Sequence, residues 1–236
     1  MGKEENRRPI AARATGWAAS LSAALARSSI TPNQISVLSI FFAAVGSAVL
    51  AWALSVPALL LCAVCVQLRL VCNLLDGMVA MEGGKKTATG ALYNEFPDRV
   101  ADSLLIVALG YAAGHPWLGW LGALLAALTA YVLVFGGSLG QAQDFRGPMA
   151  KQHRMALLTA ACLIGAAELY WNGSRYSLLI AAIVIAAGSL LTCVTRTRSI
   201  VSHLREHDSD VLGSAGLLRA DIPGRVSALG GLQAHA

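Results

Sequence analysis

The stretch that decides the fold is CNLLDGMVAMEGGKKTATGALYNEFPDRVAD, residues 72–102. It follows one apolar run and leads into another, yet Asp76, Glu82, Glu95, Asp98 and Asp102 fall within it. Arg69, Asn73, Asp76 and Ala80 are spaced four, three and four, which puts them on one face of a helix. Asn94, Asp98 and Asp102 share a face of the next helix by the same arithmetic. If that helix starts near Gly90, Asp98 lies roughly 12 Å along it and Asp102 roughly 18 Å. Ionised carboxylates at such depth in a membrane are costly unless paired, hydrated or bound to metal, and they point to function. A single acid near a helix end is often just solvated, or neutralised by a neighbour such as Arg69 or Arg99. Oxygen side chains converging from two helices at one level weigh against that reading for the set. Hard oxygen donors suit Mg²⁺, Mn²⁺ or Ca²⁺. The small residues Gly77, Ala80 and Gly90 leave room for a ligand to approach the backbone, or equally for close helix packing.

The rest of the chain agrees with a membrane setting. It is 56% hydrophobic and 13% charged, with a mean hydropathy of +0.60, too apolar for an ordinary soluble domain. Six segments approach the ~20 residues needed to cross a bilayer: 35–54, 57–80, 93–113, 117–137, 155–171 and 176–195. Thr31 and Pro32 open the first, as a cap and a first helical residue. Lys3, Arg7, Arg8, Arg13 and Arg27 precede the first span, and Lys85 and Lys86 join the second to the third. Arg146, Lys151 and Arg154 precede the fifth, and Arg196, Arg198 and Arg205 follow the sixth. The other three connections hold Arg175 and an aromatic set: Trp117, Trp120, Tyr170, Trp171 and Tyr176. Basic loops stay in the cytoplasm, so both termini and the acid-bearing loop face inward.

The chain therefore reads as an all-α integral membrane protein in three parts. A cytoplasmic leader, 1–34, precedes a six-span domain, 35–196, and a loosely ordered cytoplasmic tail, 197–236. Residues 10–27 read as an interfacial amphipathic helix or, equally, a flexible basic leader. No cleavable signal peptide is expected, and neither is myristoylation. Cys62 and Cys65 sit one turn apart in apolar sequence and read as small buried hydrophobes, because no second Cys/His pair accompanies them for zinc. The absence of an internal repeat gives no support to an inverted-repeat transporter.

The motif Asn73-x2-Asp76-Gly77-x2-Ala80-Met81-x8-Gly90-x3-Asn94-x3-Asp98 resembles the signature of the CDP-alcohol phosphatidyltransferase family, D-x2-D-G-x2-A-R-x8-G-x3-D-x3-D. Every spacing holds, and TPN at 31–33 is similar to the family's opening. The resemblance covers roughly residues 30–196. It implies transfer of a phosphatidyl group from a CDP-diacylglycerol donor to a small alcohol or lipid headgroup hydroxyl, with release of CMP, in the cell (inner) membrane. It also implies Mg²⁺ or Mn²⁺ as cofactor, held by the motif acids, and a homodimer. By position, Asp76 becomes a metal ligand and Asp98 a ligand and general base, while Gly77, Ala80 and Gly90 let the cytidine nucleotide lie close. Metal ions that clamp the attacking and leaving oxygens of a pyrophosphate suit this reaction. No nucleic-acid partner is expected.

Two motif acids are Asn, at 73 and 94, and the motif Arg is Met81. Asn carbonyls ligate without charge, so the motif positions supply enough charge for one divalent ion and not two. Asp102 is expected to join as a ligand or an orienting neighbour, and Glu95, about 100° round the helix from Asn94, less readily. Arg69, Lys85 and Lys86 are candidate stand-ins for the missing Arg. Arg69 lies deep enough to require a carboxylate or phosphate partner. Arg146, Lys151 and Arg154 are candidate contacts to the acceptor's phosphate, against a simpler role in topology and anionic-lipid attraction. His153 reads as a solvated neighbour, and Glu168 lies at the far end of its span. Two other functions compete: a CDP-choline-type phosphotransferase with diacylglycerol as acceptor, and a catalytically altered relative acting as a lipid-binding scaffold. An ion carrier is disfavoured by the motif spacing.

Overall fold

The computed structural model describes residues 15–81, 83–85, 87–142 and 144–220, the side chains to 206. Among them are seven helices and no strand: α1 Gly16–Arg27, α2 Pro32–Trp52, α3 Val56–Met81, α4 Gly90–Ala112, α5 Pro116–Ser138, α6 Lys151–Trp171 and α7 Tyr176–Ala220. The chain divides into two units, residues 1–196 and 197–236. Everything described below as the site belongs to the first.

Local chemistry sets the start of α2. Thr31 Oγ1 accepts from the Gln34 amide at 3.3 Å, and the Gln34 side chain accepts from the Thr31 amide at 2.9 Å. With Pro32 at the first helical position, this is a complete capping box. Asn33 Nδ2 donates to Thr89 Oγ1 at 3.4 Å, which ties the head of α2 to the N-cap of α4.

Five helices are long and apolar enough to cross a membrane: α2, α3, α5, α6 and α7 over Tyr176–Glu206. The sequence had six spans. The helix left out is α4, which equals α5 at 23 residues but carries Glu95, Asp98, Arg99 and Asp102. Its length is that of a span; its composition is that of a site.

Small residues bring the helices close. A Cβ on Gly46 of α2 would stand 2.9 Å from Cys65 Cβ of α3, and a Cβ on Gly110 of α4 would stand 2.5 Å from the Gly119 backbone of α5. Cys62, Cys65, Cys72 and Cys162 are buried free thiols, as the sequence implied for the first two. Leu59, Val66, Leu105, Leu109, Leu158 and Ile185 help form one continuous apolar core. On α1, Ala18 is buried with Leu74 and Met78 of α3, while Trp17 and Leu21 are exposed.

One element runs past its expected end. The sixth span was set to finish near residue 195 with a loose tail beyond, but α7 remains helical to Ala220. No proline interrupts the helix; the next is Pro223. Residues 1–14, which include the start of the expected 10–27 helix, and 221–236 lie outside the described residues, as do Glu82 and Lys86.

Candidate active site

Two acids face inward near the amino-terminal part of α4 and the carboxy-terminal part of α3. Asp76 is 4% exposed. Ser36, one turn inside the capped head of α2, donates its hydroxyl to Asp76 Oδ2 at 2.6 Å. The other oxygen, Oδ1, is buried and has no hydrogen-bond partner. A buried carboxylate oxygen without a donor carries a desolvation cost that a bound cation would offset.

Asp98 is held from three sides. Its Oδ1 accepts from Asn73 Nδ2 at 2.7 Å and from Arg69 Nη2 at 3.3 Å, and its Oδ2 pairs with the Lys151 ammonium. One turn further along α4, Asp102 lies between two guanidinium groups. Arg69 Nη2 reaches its Oδ1 at 2.6 Å and Arg154 Nη2 its Oδ2 at 2.9 Å. Arg69 is wholly buried, and Asp102 and Arg154 are each 3% exposed. Two carboxylates thus pair with three cations, and with Asp76 counted the charges sum to zero, as burial away from water favours. Pro97, just before Asp98, takes one N–H out of the α4 ladder at the same place.

Arg69 comes from α3, while Lys151 and Arg154 arrive from α6, and the loop before α6 is what aims them. Gly147 has φ +124, and a Cβ there would stand 2.5 Å from Thr192 of α7, so only glycine fits. The Met149 amide donates to Thr192 Oγ1 at 3.0 Å. Arg196 Nε donates to the Arg146 carbonyl at 3.0 Å, and its Nη1 to the Thr129 carbonyl of α5 at 2.7 Å. Arg154 Nη1 donates in turn to the Met149 carbonyl at 3.0 Å. The first turn of α6, with Lys151 and Arg154 on one face, is fixed from both sides.

Asp98, Asp102, Asn73, Arg69, Lys151 and Arg154 form one hydrogen-bonded cluster, and Asp76 lies within electrostatic reach of Asp98 and Lys151. Asp102, expected as a ligand or an orienting neighbour, has both oxygens paired, one with Arg69 and one with Arg154. Asn94 is exposed and takes no part in the hydrogen-bonded cluster, although it is one turn from Asp98. Gly77, Ala80 and Gly90 are half-buried. Glu95 pairs with Arg99 along its own helix and is exposed, so it does not restore the missing charge. Arg146 points its exposed guanidinium at Asp144, 2.9 Å away, whose hydrogen bond and charge hold its proton more tightly than usual.

Lys85 is not a substitute for the motif Arg. Its ammonium donates to the carbonyls of Leu25, Ser28 and Ile30 at 3.3, 2.6 and 3.1 Å, closing the link between α1 and α2. His153 Nδ1 lies 2.9 Å from the Pro148 carbonyl on the exposed side. Glu168 accepts from the Ser177 amide and hydroxyl at the far end of α6. Sequence reasoning missed Ser36 and Thr129 altogether and took Arg196 for a topology signal. The clue to Ser36 was its position four residues after Pro32, on the buried face of a helix opened by a capping box.

Among the described residues, no three His, Cys, Asp or Glu side chains converge as a metal-binding group. The partnerless Asp76 Oδ1 is a hard oxygen of the kind a divalent ion takes.

Solved structures share this fold. The phosphatidylinositol phosphate synthase PgsA1 of Mycobacterium tuberculosis, with CDP-DAG bound, superposes with a TM-score of 0.64 at 19% identity, over 78% of this chain and 92% of that one. The fold is that of a phosphatidylinositol phosphate synthase. The same synthase in complex with manganese and citrate gives a TM-score of 0.65 at 18% identity, covering 78% of this chain and 88% of that one. The resemblance to CDP-alcohol phosphatidyltransferases read from positions 73–98 therefore holds at the level of fold. Among curated proteins, the inner membrane protein YnbA of Escherichia coli (strain K12) is 26% identical over 176 residues, 73% of this chain and 85% of that protein. No family model matches.

Proposed function

We propose that this chain is a CDP-alcohol phosphatidyltransferase of a bacterial inner membrane, transferring a phosphatidyl group from CDP-diacylglycerol to an acceptor alcohol with release of CMP. The observation that carries the reading is the buried, partnerless oxygen of Asp76 on α3, in a carboxylate within electrostatic reach of Asp98 of α4 and Lys151 of α6. It is supported by the synthase fold. In this reading α4 also crosses the membrane, as the third of six spans, and α1 lies in the interface. Both termini and the acids face the cytoplasm, where basic loops collect. Two copies pair as a homodimer.

Asp76, with the side-chain oxygen of Asn73, would hold the ion, Mg²⁺ or Mn²⁺. When bound, it neutralises the donor's diphosphate. Gly77, Ala80 and Gly90 leave the nucleotide its space. Asp98 accepts the proton of the acceptor hydroxyl as the new phosphorus–oxygen bond forms and the bond to CMP breaks. Asp102 acts through Arg69 and Arg154, fixing the cations around Asp98. Lys151 stays on Asp98 and offers its ammonium as a point charge to the acceptor's phosphate.

Asp98→Asn tests this reading. Purified protein with radiolabelled CDP-diacylglycerol and a panel of alcohols should release CMP only in the wild type and only with a divalent ion. The same panel names the acceptor. A wild-type protein that binds cytidine nucleotide yet never releases CMP sinks the reading and favours a lipid-binding scaffold, which the internally neutral cluster also suits.

A further inference from the structure

We propose that Lys151 is a built-in counter-cation, so that this chain binds one divalent ion on the Asp76 side of the cluster and excludes a second. The inference rests on the transferase reading only for the identity of the site; its observations are separate.

The oxygen inventory is short. Asp98 Oδ1 is taken by Asn73 Nδ2 and Arg69, and its Oδ2 by Lys151. Both oxygens of Asp102 are taken by Arg69 and Arg154. Asp76 Oδ2 accepts from Ser36. The carboxylate oxygen left buried and without a donor is Asp76 Oδ1. Asp76 also lies within electrostatic reach of both Asp98 and Lys151, so one local field covers the three.

Charge leads to the same conclusion. Two divalent ions beside three carboxylates would bring four positive charges, and Arg69 and Arg154 already offset two of the negative ones. One ion at Asp76 leaves a local excess that a diphosphate relieves. A second, at Asp98, would have to displace Lys151 and meet the Arg69 guanidinium 3.3 Å from the same carboxylate. The two substitutions fit this arrangement. Asn73 presents an N–H to Asp98 where an acid would present a second negative charge, and Asn94 is exposed and outside the cluster. An ammonium on Asp98 does the electrostatic duty of an ion without requiring a charged ligand set.

The test counts Mn²⁺ by electron paramagnetic resonance on purified full-length protein in detergent, with the metal alone. Wild type should bind one Mn²⁺ and show no spin coupling between ions. Asp76→Asn should lose it. Lys151→Met should gain a second, spin-coupled Mn²⁺, or tighten Mn²⁺ binding by at least about tenfold, as removal of a cation a few ångströms away requires. Asn73→Asp, which exchanges a donor for a carboxylate, provides an independent variant with the same expected gain. Two coupled ions in the wild type, none at all, or no change in number and affinity in whichever variants fold would each overturn the proposal. Absence of CMP release alongside a single Mn²⁺ would refute the transferase reading and leave this one standing.

Discussion

Arg69→Met removes the cation at the centre of the cluster while keeping much of its apolar stem. Arg69 is wholly buried and makes the 2.6 Å contact to Asp102 and the 3.3 Å contact to Asp98. Breaking a buried ion pair by deleting one partner costs about 3–5 kcal/mol, because the other charge stays buried. Arg154 still holds Asp102 and Lys151 still holds Asp98, so the lower end, about 3 kcal/mol, applies. That corresponds to roughly a hundredfold rise in the unfolding constant. Equilibrium unfolding in mixed detergent–SDS micelles measures it, and the double variant Arg69→Met/Asp102→Leu isolates the pair. With neither charge present the double variant should recover 1–3 kcal/mol relative to the sum of the single changes, the range of coupling for groups in contact (about that size in other proteins). A cost for Arg69→Met below about 1 kcal/mol, or single effects that add within about 0.5 kcal/mol, would refute the claim that these charges are mutually dependent.

Gly110→Ala places a methyl 2.5 Å from the Gly119 backbone, which cannot rotate aside, so it should cost about 1–3 kcal/mol in the same unfolding assay. Thr31→Ala removes the cap of α2 and should cost about 1 kcal/mol, while Thr31→Ser should restore most of it. Ser36→Ala takes the hydroxyl from Asp76 Oδ2 and should weaken Mn²⁺ binding about 10- to 100-fold with unfolding little changed. Lys85→Met frees three carbonyls at the α1–α2 link and should speed amide exchange in α1 without altering Mn²⁺ binding.

The acids were legible because helical periodicity is short-range information. Asn73 and Asp76 sit three apart, and Asp98 and Asp102 four apart, so each pair declares its shared face. The cost of deep charge then says that partners exist. Sequence could not say which partners. Arg69 had Asp102 or a substrate phosphate open to it, and the choice depends on how α3 and α4 pack, which Gly46 and Gly110 help to set. Lys151 and Arg154 stayed open between a phosphate contact and a topology role, because a loop of Lys and Arg carries the same letters in either. Lys85 shows the converse, since it spends its charge on backbone carbonyls and not on phosphate. Ser36, Thr129 and Arg196 carried no sequence signal of their own, because one hydroxyl or one span-terminal Arg acquires meaning only from what tertiary packing sets against it.

The loop from Arg146 to Ala150 is pinned to α7 at Gly147, Met149 and Arg196, and α7 supplies none of the acids. Alignment of Lys151 is thus delegated to a helix remote from the chemistry. Enlarging Gly188, where an added Cβ would press 2.8 Å from Met149 Cε, would disturb Asp98 through two intermediaries with every charged member of the cluster intact. Substitutions that detune such a centre need not be sought among its own letters.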